Sequence, residues 1–323
     1  MTKTSALMGK RDLLNFGDLS REEMIKIFAL ASGLKRKLKQ GIAHPLLVHK
    51  CLAMIFEKPS LRTRVTFEAG MVQLGGHAVF LGPNEVQLGV RETPADCARS
   101  LSRWVDLITV RTFSQATLEE MAQYASVPVI NALTDLSHPC QVLADCLTLI
   151  EHKGDLKGLK IAFVGDGNNM VHSWMEAAEK LPIAFAVACP KGYEPNKAIE
   201  ERARKNGARI TVTQSVEEAV AGADAVYTDV WASMGQEEEV AARLKAFQGY
   251  QVNERVVGMA KKHAVVMHCL PAHRGQEITH EVLEGPQCIA FDQAENRLHV
   301  QKAIMVWLLR GFQDLDNDPW MTT

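Results

Sequence analysis

No segment of this sequence approaches the ~20 consecutive apolar residues of a membrane-spanning helix. The N-terminal stretch from Met1 to Asp12 carries positive charge without the apolar core of a secretory leader. Excess charge of either sign is also missing: 36 basic residues stand against 38 acidic ones, a formal −2. No long-range field therefore recruits nucleic acid or an anionic membrane, and any positive patch must be local. Cys51, Cys97, Cys140, Cys146, Cys189, Cys269 and Cys288 are odd in number, mostly set among apolar neighbours, and never spaced as Cys-x-x-Cys. Neither a disulfide framework nor a zinc site is indicated. Internal repeats, low-complexity tracts and Gly/Ser linkers are absent as well. These absences predict a cytoplasmic protein with reduced thiols and no nucleic-acid or membrane partner.

What is present is an alternation. Short apolar, β-rich runs recur between helical patterns at Cys51–Phe56, His77–Leu81, Leu107–Thr112 and Val127–Asn131, and again at Leu159–Val164, Ile183–Cys189, Arg209–Thr213, Ala225–Val230 and Ala264–Cys269, with Cys288–Phe291 as a closing candidate. The chain's 323 residues accommodate two domains. The fold class expected is α/β, two doubly wound domains, each with a central parallel sheet flanked by helices. Helix starts are marked by the boxes Ser20-Arg21-Glu22-Glu23 and Thr117-Leu118-Glu119-Glu120, by Thr93-Pro94, and by Ser215 with Glu218. A helix from Pro139 to about His152 connects the two series, and an apolar periodic pattern from Asn296 to Phe312 makes a closing helix.

Open parallel sheets bind ligands beyond the carboxyl ends of their strands, and several motifs stand at such ends. After the first run, Pro59 bars helix and Ser60 is placed to cap one. Arg62, Arg64 and the hydroxyls of Ser60 and Thr63 crowd that first turn, where backbone N–H groups and the dipole favour an anion such as phosphate. Gly165-Asp166-Gly167 invites a dinucleotide reading, but Met170 occupies the next glycine position and no acidic residue follows Cys189, which disfavours an NAD-dependent oxidoreductase. Asn168 and Asn169 suit either a structural turn or a small zwitterion. His138 and Gln141 can face a carbonyl group, although Pro139 also reads simply as a helix start. Asp229 can pair with an ammonium group and Trp231 and Met234 can cover an aliphatic chain, although the stretch by itself reads more simply as a turn before a solvated acidic helix start. His268 and Cys269, being neighbours on a strand, point to opposite faces, so the histidine is badly placed to activate the thiol. Arg297, at the start of the closing helix, opposes the helix dipole, which hints at a ligand or a carboxylate partner.

Ser60-Leu61-Arg62-Thr63-Arg64, Arg111, His138-Pro139-Cys140-Gln141, Asp229 with Ser233-Met234-Gly235, and His268-Cys269-Leu270-Pro271 occur in one order over most of the chain. Together they resemble the motifs of the transcarbamoylases. The Asp-x-Trp-x-Ser-Met-Gly and His-Cys-Leu-Pro stretches are similar to those of the ornithine-using branch, whereas aspartate-using members carry His-Pro-Leu-Pro. The resemblance implies a carbamoyl phosphate domain (1–138, with 296–323 packing back on it), an interdomain helix (139–153) and an ornithine domain (154–295), joined by two helices. It further implies a homotrimer, or a multiple of trimers, with active sites at subunit interfaces.

By position, the resemblance assigns the phosphate to Ser60, Arg62, Thr63, Arg111 and the backbone amide of Leu61, with Gln87 supplied by a neighbouring subunit. His138, Gln141, Arg297 and the Leu270 carbonyl are implied to orient the carbamoyl group. Asn169, Asp229, Ser233 and Met234 are implied to hold L-ornithine, with Asp229 and Cys269 flanking its δ-amine. The catalytic residues expected are Arg111, His138, Asp229 and Cys269. The implied reaction moves the carbamoyl group of carbamoyl phosphate to that amine, giving L-citrulline and phosphate in arginine metabolism, with no cofactor, no metal and no enzyme nucleophile. Position 61 departs from the pattern: it is leucine where many ornithine enzymes have threonine, and Pro-Ser-Leu-Arg-Thr also occurs in members that take N-acylated ornithines. N-acetylornithine and putrescine stand as alternative acceptors. Asp229 favours a free α-ammonium, since a carboxylate gains much from a charge and little from an amide.

Overall fold

A computed structural model describes residues 10–232, 239–315, 318 and 320. Two compact units emerge: the first takes the chain up to Leu19, Ile25–Asp135 and the residues from Gln301 on, and the second takes Ser20–Met24 and Leu136–Val300. Each unit has a parallel sheet flanked by helices, as the alternation of runs predicts.

The chain opens with α1 (Arg21–Lys39), whose capping box closes as read from the sequence: Ser20 N donates to Glu23 Oε2 at 2.9 Å and Glu23 N to Ser20 Oγ at 3.2 Å. The first unit then alternates β1 (Cys51–Phe56), α2 (Leu61–Gln73), β2 (His77–Leu81), α3 (Pro83–Val86), α4 (Pro94–Leu101), β3 (Leu107–Arg111), α5 (Gln115–Tyr124) and β4 (Val129–Leu133). Its strand order is β2-β1-β3-β4. Strands β1 and β3 are covered on both faces, which is why they read as continuous apolar runs instead of alternating ones. Ala53, Ile55, Ile108 and Val110 pack on Ala98 and Leu101 of α4 and Leu118 and Met121 of α5. Each fully buried Ile, Val, Leu or Met side chain among them contributes roughly 1.5–3 kcal/mol.

The second unit runs α6 (Pro139–Lys153), β5 (Lys160–Val164), α7 (Asn169–Lys180), β6 (Ala184–Ala188), α8 (Lys197–Lys205), β7 (Arg209–Thr213), α9 (Val216–Val220), β8 (Ala225–Thr228), α10 (Val240–Ala246), α11 (Glu254–Gly258), β9 (Val265–His268), α12 (His280–Leu283) and α13 (Ala290–Arg310). Its strand order is β7-β6-β5-β8-β9. In the first sheet the order reverses between β1 and β3, and in the second between β5 and β8. Those two points, at the carboxyl ends, are where a doubly wound sheet opens a ligand crevice.

Three local expectations fail. Cys288–Phe291 is not a strand: Cys288 makes a single bridge to Val266, and the chain turns into α13 at Ala290. Because α13 begins there and not at Asn296, Arg297 lies two turns inside the helix, and the dipole argument about it lapses. The box at Thr117 is also not the start of α5, which begins at Gln115 after Ser114. Among the described residues no helix is long and apolar enough to cross a membrane.

Candidate active site

In the first unit, β1 and β3 pair in parallel with Phe56 opposite Arg111, and Glu57 N donates to Arg111 O at 2.8 Å. The ladder therefore carries the loop after β1 and the end of β3 to the same place, the reversal point of the sheet. Pro59 and the extended Ser60 stop the strand. Ser60 then caps α2, its Oγ accepting from Thr63 N at 3.2 Å, which leaves the hydroxyl proton to donate to an anion. The loop is braced from both sides. The Thr112 hydroxyl donates to Glu57, and Lys58 pairs with Asp135 while lying 4.1 Å over the Phe113 ring. Thr63 and Arg111 are buried, whereas the Leu61 side chain is 71% exposed. Arg64 leaves the group: it stacks 3.6 Å over Phe80 and pairs with Glu68. Gln87 is exposed in the left-handed region (φ 51°) after α3.

In the second unit, Asp229 follows β8 at the reversal point. Its Oδ1 accepts from the Cys269 thiol at 3.0 Å and from Val230 N at 2.8 Å, and its Oδ2 accepts from Asn168 Nδ2 at 3.0 Å. Asn168 is also the N-cap of α7, accepting from Met170 N at 2.9 Å, which is the structural reading of its position. Gly167 has a packing reason: a Cβ there would lie 2.4 Å from Pro195 N, so the glycine admits a neighbouring backbone and needs no pyrophosphate to explain it. Asp166 pairs with Arg243 at 3.0 Å, and burial pushes its carboxyl up to about 6 against the pull of that guanidinium. Trp231 packs on Phe247 in the core and is not available to cover a ligand. Ser233, Met234 and Gly235 lie outside the described residues.

His138 caps α6 through its backbone, its N–H donating to Ser173 Oγ at 2.8 Å, with Pro139 at the first helical position. Arg297 is buried and its Nη1 donates to Gln141 Oε1. Gln141 Nε2 donates to Asp145 Oδ1 at 2.8 Å, Gln293 Nε2 to the same oxygen at 2.9 Å, and the Tyr227 hydroxyl to Oδ2 at 2.9 Å. Burial pushes Asp145 up to about 6, while those three hydrogen bonds pull it down. At the end of β9, Leu270 stands at φ 59° before a cis Pro271, and its N–H donates to His268 Nδ1 at 2.8 Å. With Nδ1 accepting, His268 carries its proton on Nε2 and donates to the fully buried Glu277 at 3.1 Å.

The second unit thus brings Gln141 and Arg297 into contact, and likewise Asp229 and Cys269. Sequence reasoning passed over Asn168 as a partner of Asp229, and missed Asp145, Gln293, Tyr227 and Glu277. One signal was available: Asp145 stands four residues after Gln141, on the same face of an otherwise apolar helix. Ligand atoms of Asp229, His268 and Cys269 lie within 4.8 Å of one another. Both ring nitrogens of His268 are already engaged, however, so the trio lacks a free imidazole donor for a metal.

One unit presents an anion site, and the other a carboxylate shaped for an amine. This equips a two-domain α/β enzyme for an anionic and a cationic substrate. The family model for the carbamoyl-P binding domain of aspartate/ornithine carbamoyltransferase matches residues 11–151, and that for its Asp/Orn binding domain matches residues 157–308. The chain is 54% identical over 313 residues to the ornithine carbamoyltransferase of Anoxybacillus flavithermus, covering 96% of this chain and 99% of that one. It is 53% identical over 302 residues to that of Methanoculleus marisnigri, covering 94% and 98%. The solved ornithine carbamoyltransferase of Pyrococcus furiosus superposes with a TM-score of 0.90 at 48% identity, covering 95% of this chain and 99% of that one. This chain belongs to the aspartate/ornithine carbamoyltransferase family.

Proposed function

We propose that this chain transfers the carbamoyl group of carbamoyl phosphate to the δ-amine of L-ornithine, giving L-citrulline and phosphate. Sequence identity of 54% across 96% of the chain with an ornithine carbamoyltransferase carries this reading. In it, the first turn of α2 takes the phosphate through Ser60, Arg62, Thr63 and the Leu61 amide, with Arg111 across the reversal point. His138, Gln141, Arg297 and the Leu270 carbonyl orient the carbamoyl group. Asn169, Asp229, Ser233 and Met234 receive the α-amino and α-carboxylate groups of ornithine.

Asp229 and Cys269 also flank the δ-amine, which attacks as the neutral base. A C–N bond forms at the carbamoyl carbon, a tetrahedral oxyanion collects charge near Arg111 and His138, and the C–O bond to phosphate breaks as the leaving phosphate takes the proton that the attacking nitrogen sheds. No enzyme nucleophile intervenes. Orientation of the two substrates supplies up to ~7–11 kcal/mol in favourable cases, and fixed cations at the oxyanion and leaving phosphate supply more.

The assembly belongs to the same proposal: a homotrimer in which Gln87 of one copy completes the phosphate site of the next. The exposed left-handed Gln87, and the exposed apolar Val65 and Val72 of α2, support that arrangement. Seven free cysteines accord with a cytoplasmic setting, in arginine metabolism. The test is ureido-product formation from carbamoyl phosphate with ornithine, N-acetylornithine, putrescine and aspartate assayed in parallel. Ornithine is expected to lead by a wide margin, because an acceptor lacking the α-ammonium gives the buried Asp229 carboxylate no cation to meet. Equal turnover of N-acetylornithine would reject it.

A further inference from the structure

Two buried amides in the second unit each have a donor at one end and an acceptor at the other. Gln293 receives the backbone N–H of His268 on Oε1 at 2.9 Å and gives Nε2 to Asp145 at 2.9 Å. Gln141 receives Arg297 on Oε1 and gives Nε2 to the same Asp145 oxygen. An ionised carboxylate only accepts, so it compels both glutamines to turn their NH2 groups toward it and their oxygens away. One oxygen then meets Arg297, and the other holds His268, whose Nδ1 in turn holds the left-handed Leu270. Tyr227, stacked 5.4 Å from Phe163 and edge-on to Trp174 at 6.2 Å, fixes the other carboxylate oxygen. The chain of contacts runs without a break from Arg297 through Gln141, Asp145, Gln293 and His268 to Leu270. Its two ends and Gln141 are residues to which the functional reading gives the carbamoyl group.

We infer that Asp145 and Gln293 are positioning residues that set the orientation of Gln141, Arg297 and the Leu270 carbonyl toward the carbamoyl group. The inference rests on the function proposed above. It requires an acceptor at position 145, not a charge. An asparagine can keep its oxygen toward both glutamines and give its NH2 to the Tyr227 oxygen, so the direction of every other hydrogen bond survives. A leucine of similar size removes the acceptor and lets both amides turn over.

The experiment is steady-state citrulline formation by the full-length enzyme and its Asp145→Asn, Asp145→Leu and Gln293→Met variants, with kcat normalised to folded protein. Asp145→Leu is expected to lower kcat about 10- to 100-fold and Gln293→Met about 10-fold, the scale of a misplaced reacting group. The KM for ornithine should stay within about threefold, and Asp145→Asn should keep kcat within about threefold, since binding contacts and orientation persist. A merely structural role would reduce the yield of folded enzyme and leave this split absent. Should Asp145→Leu not fold, Gln293→Met decides by the same criterion. An Asp145→Asn variant as slow as Asp145→Leu overturns the orientation role, as do leucine and methionine variants as fast as wild type. A wild-type enzyme without ornithine turnover overturns the functional reading, and the positioning role with it.

Discussion

Leu61 is the position at which this sequence departs from many ornithine enzymes, and its side chain stands 71% exposed on the first turn of α2. What a phosphate can take from this residue is the backbone amide, which any side chain leaves in place. Leu61→Thr is therefore expected to change the KM for carbamoyl phosphate by no more than about twofold, the range of a neutral surface substitution. A tenfold change in initial-rate assays would mean that the side chain itself reaches the ligand. Arg111 and Thr63 differ from Leu61 in being buried, where the contacts proposed for them would be less screened by water. The sequence marks all of these residues alike. Their division into buried and exposed, and the stacking of Arg64 on Phe80, depends on neighbours distant in the chain.

At the scale of elements, the turn after β9 owes its shape to Glu277, a residue that stands outside every motif. Glu277 accepts from His268 Nε2 and, at 2.5 Å, from His273 N. Glu277→Leu would strand the buried His268 Nε2 donor, at a cost of about 1–3 kcal/mol, and take the acceptor from the part-buried His273 N–H. A clear fall in the urea midpoint is expected, with a smaller one for Glu277→Gln, which retains an acceptor; identical midpoints for wild type and the leucine variant would refute this account of the turn. The inner strands were legible because a sheet buried on both faces forces unbroken apolar runs; α1, α2 and α9 were legible because their caps are local, and α6 because Pro139 marks its first turn. The opening of α13 was not. Ile289 and Phe291 read as strand, and the chain does touch β9 there, Ile289 N donating to Val266 O at 2.9 Å, but for one bridge only. The site divides in the same way: Asp229 and Cys269 stand out within motifs, whereas Asn168, Gln293 and Glu277 gain significance only from tertiary contacts.

For the whole molecule, buried ionisable groups impose a pH dependence on stability. Asp145 is raised by burial to about 6 from 3.8. Between those values the folded chain holds a proton that the unfolded chain has lost, so stability falls as pH rises through this window, by about 1.4 kcal/mol per unit and about 3 kcal/mol in all. Lys302, buried against His44 and Gln73, is lowered by burial to about 8 from 10.5. Here the unfolded chain holds the extra proton, so the burial penalty present at neutral pH is relieved as pH rises above 8. Urea midpoints of wild type and Asp145→Asn at pH 4 and pH 7 isolate the first effect. The variant is expected to gain on wild type at the higher pH, and a constant gap between the two would contradict it.

The first unit is built from three separated stretches, the last beginning at Gln301, while the second is nearly continuous from Leu136 to Val300. A ribosome makes the anion loop early, yet at Val300 it has supplied all of the second unit and none of the first unit's closing stretch. His44 and Gln73 then wait for a lysine that is still untranslated. Because domains fold as units during synthesis, the half begun first is the half finished last, and the nascent chain completes its amine-binding unit before its phosphate-binding one.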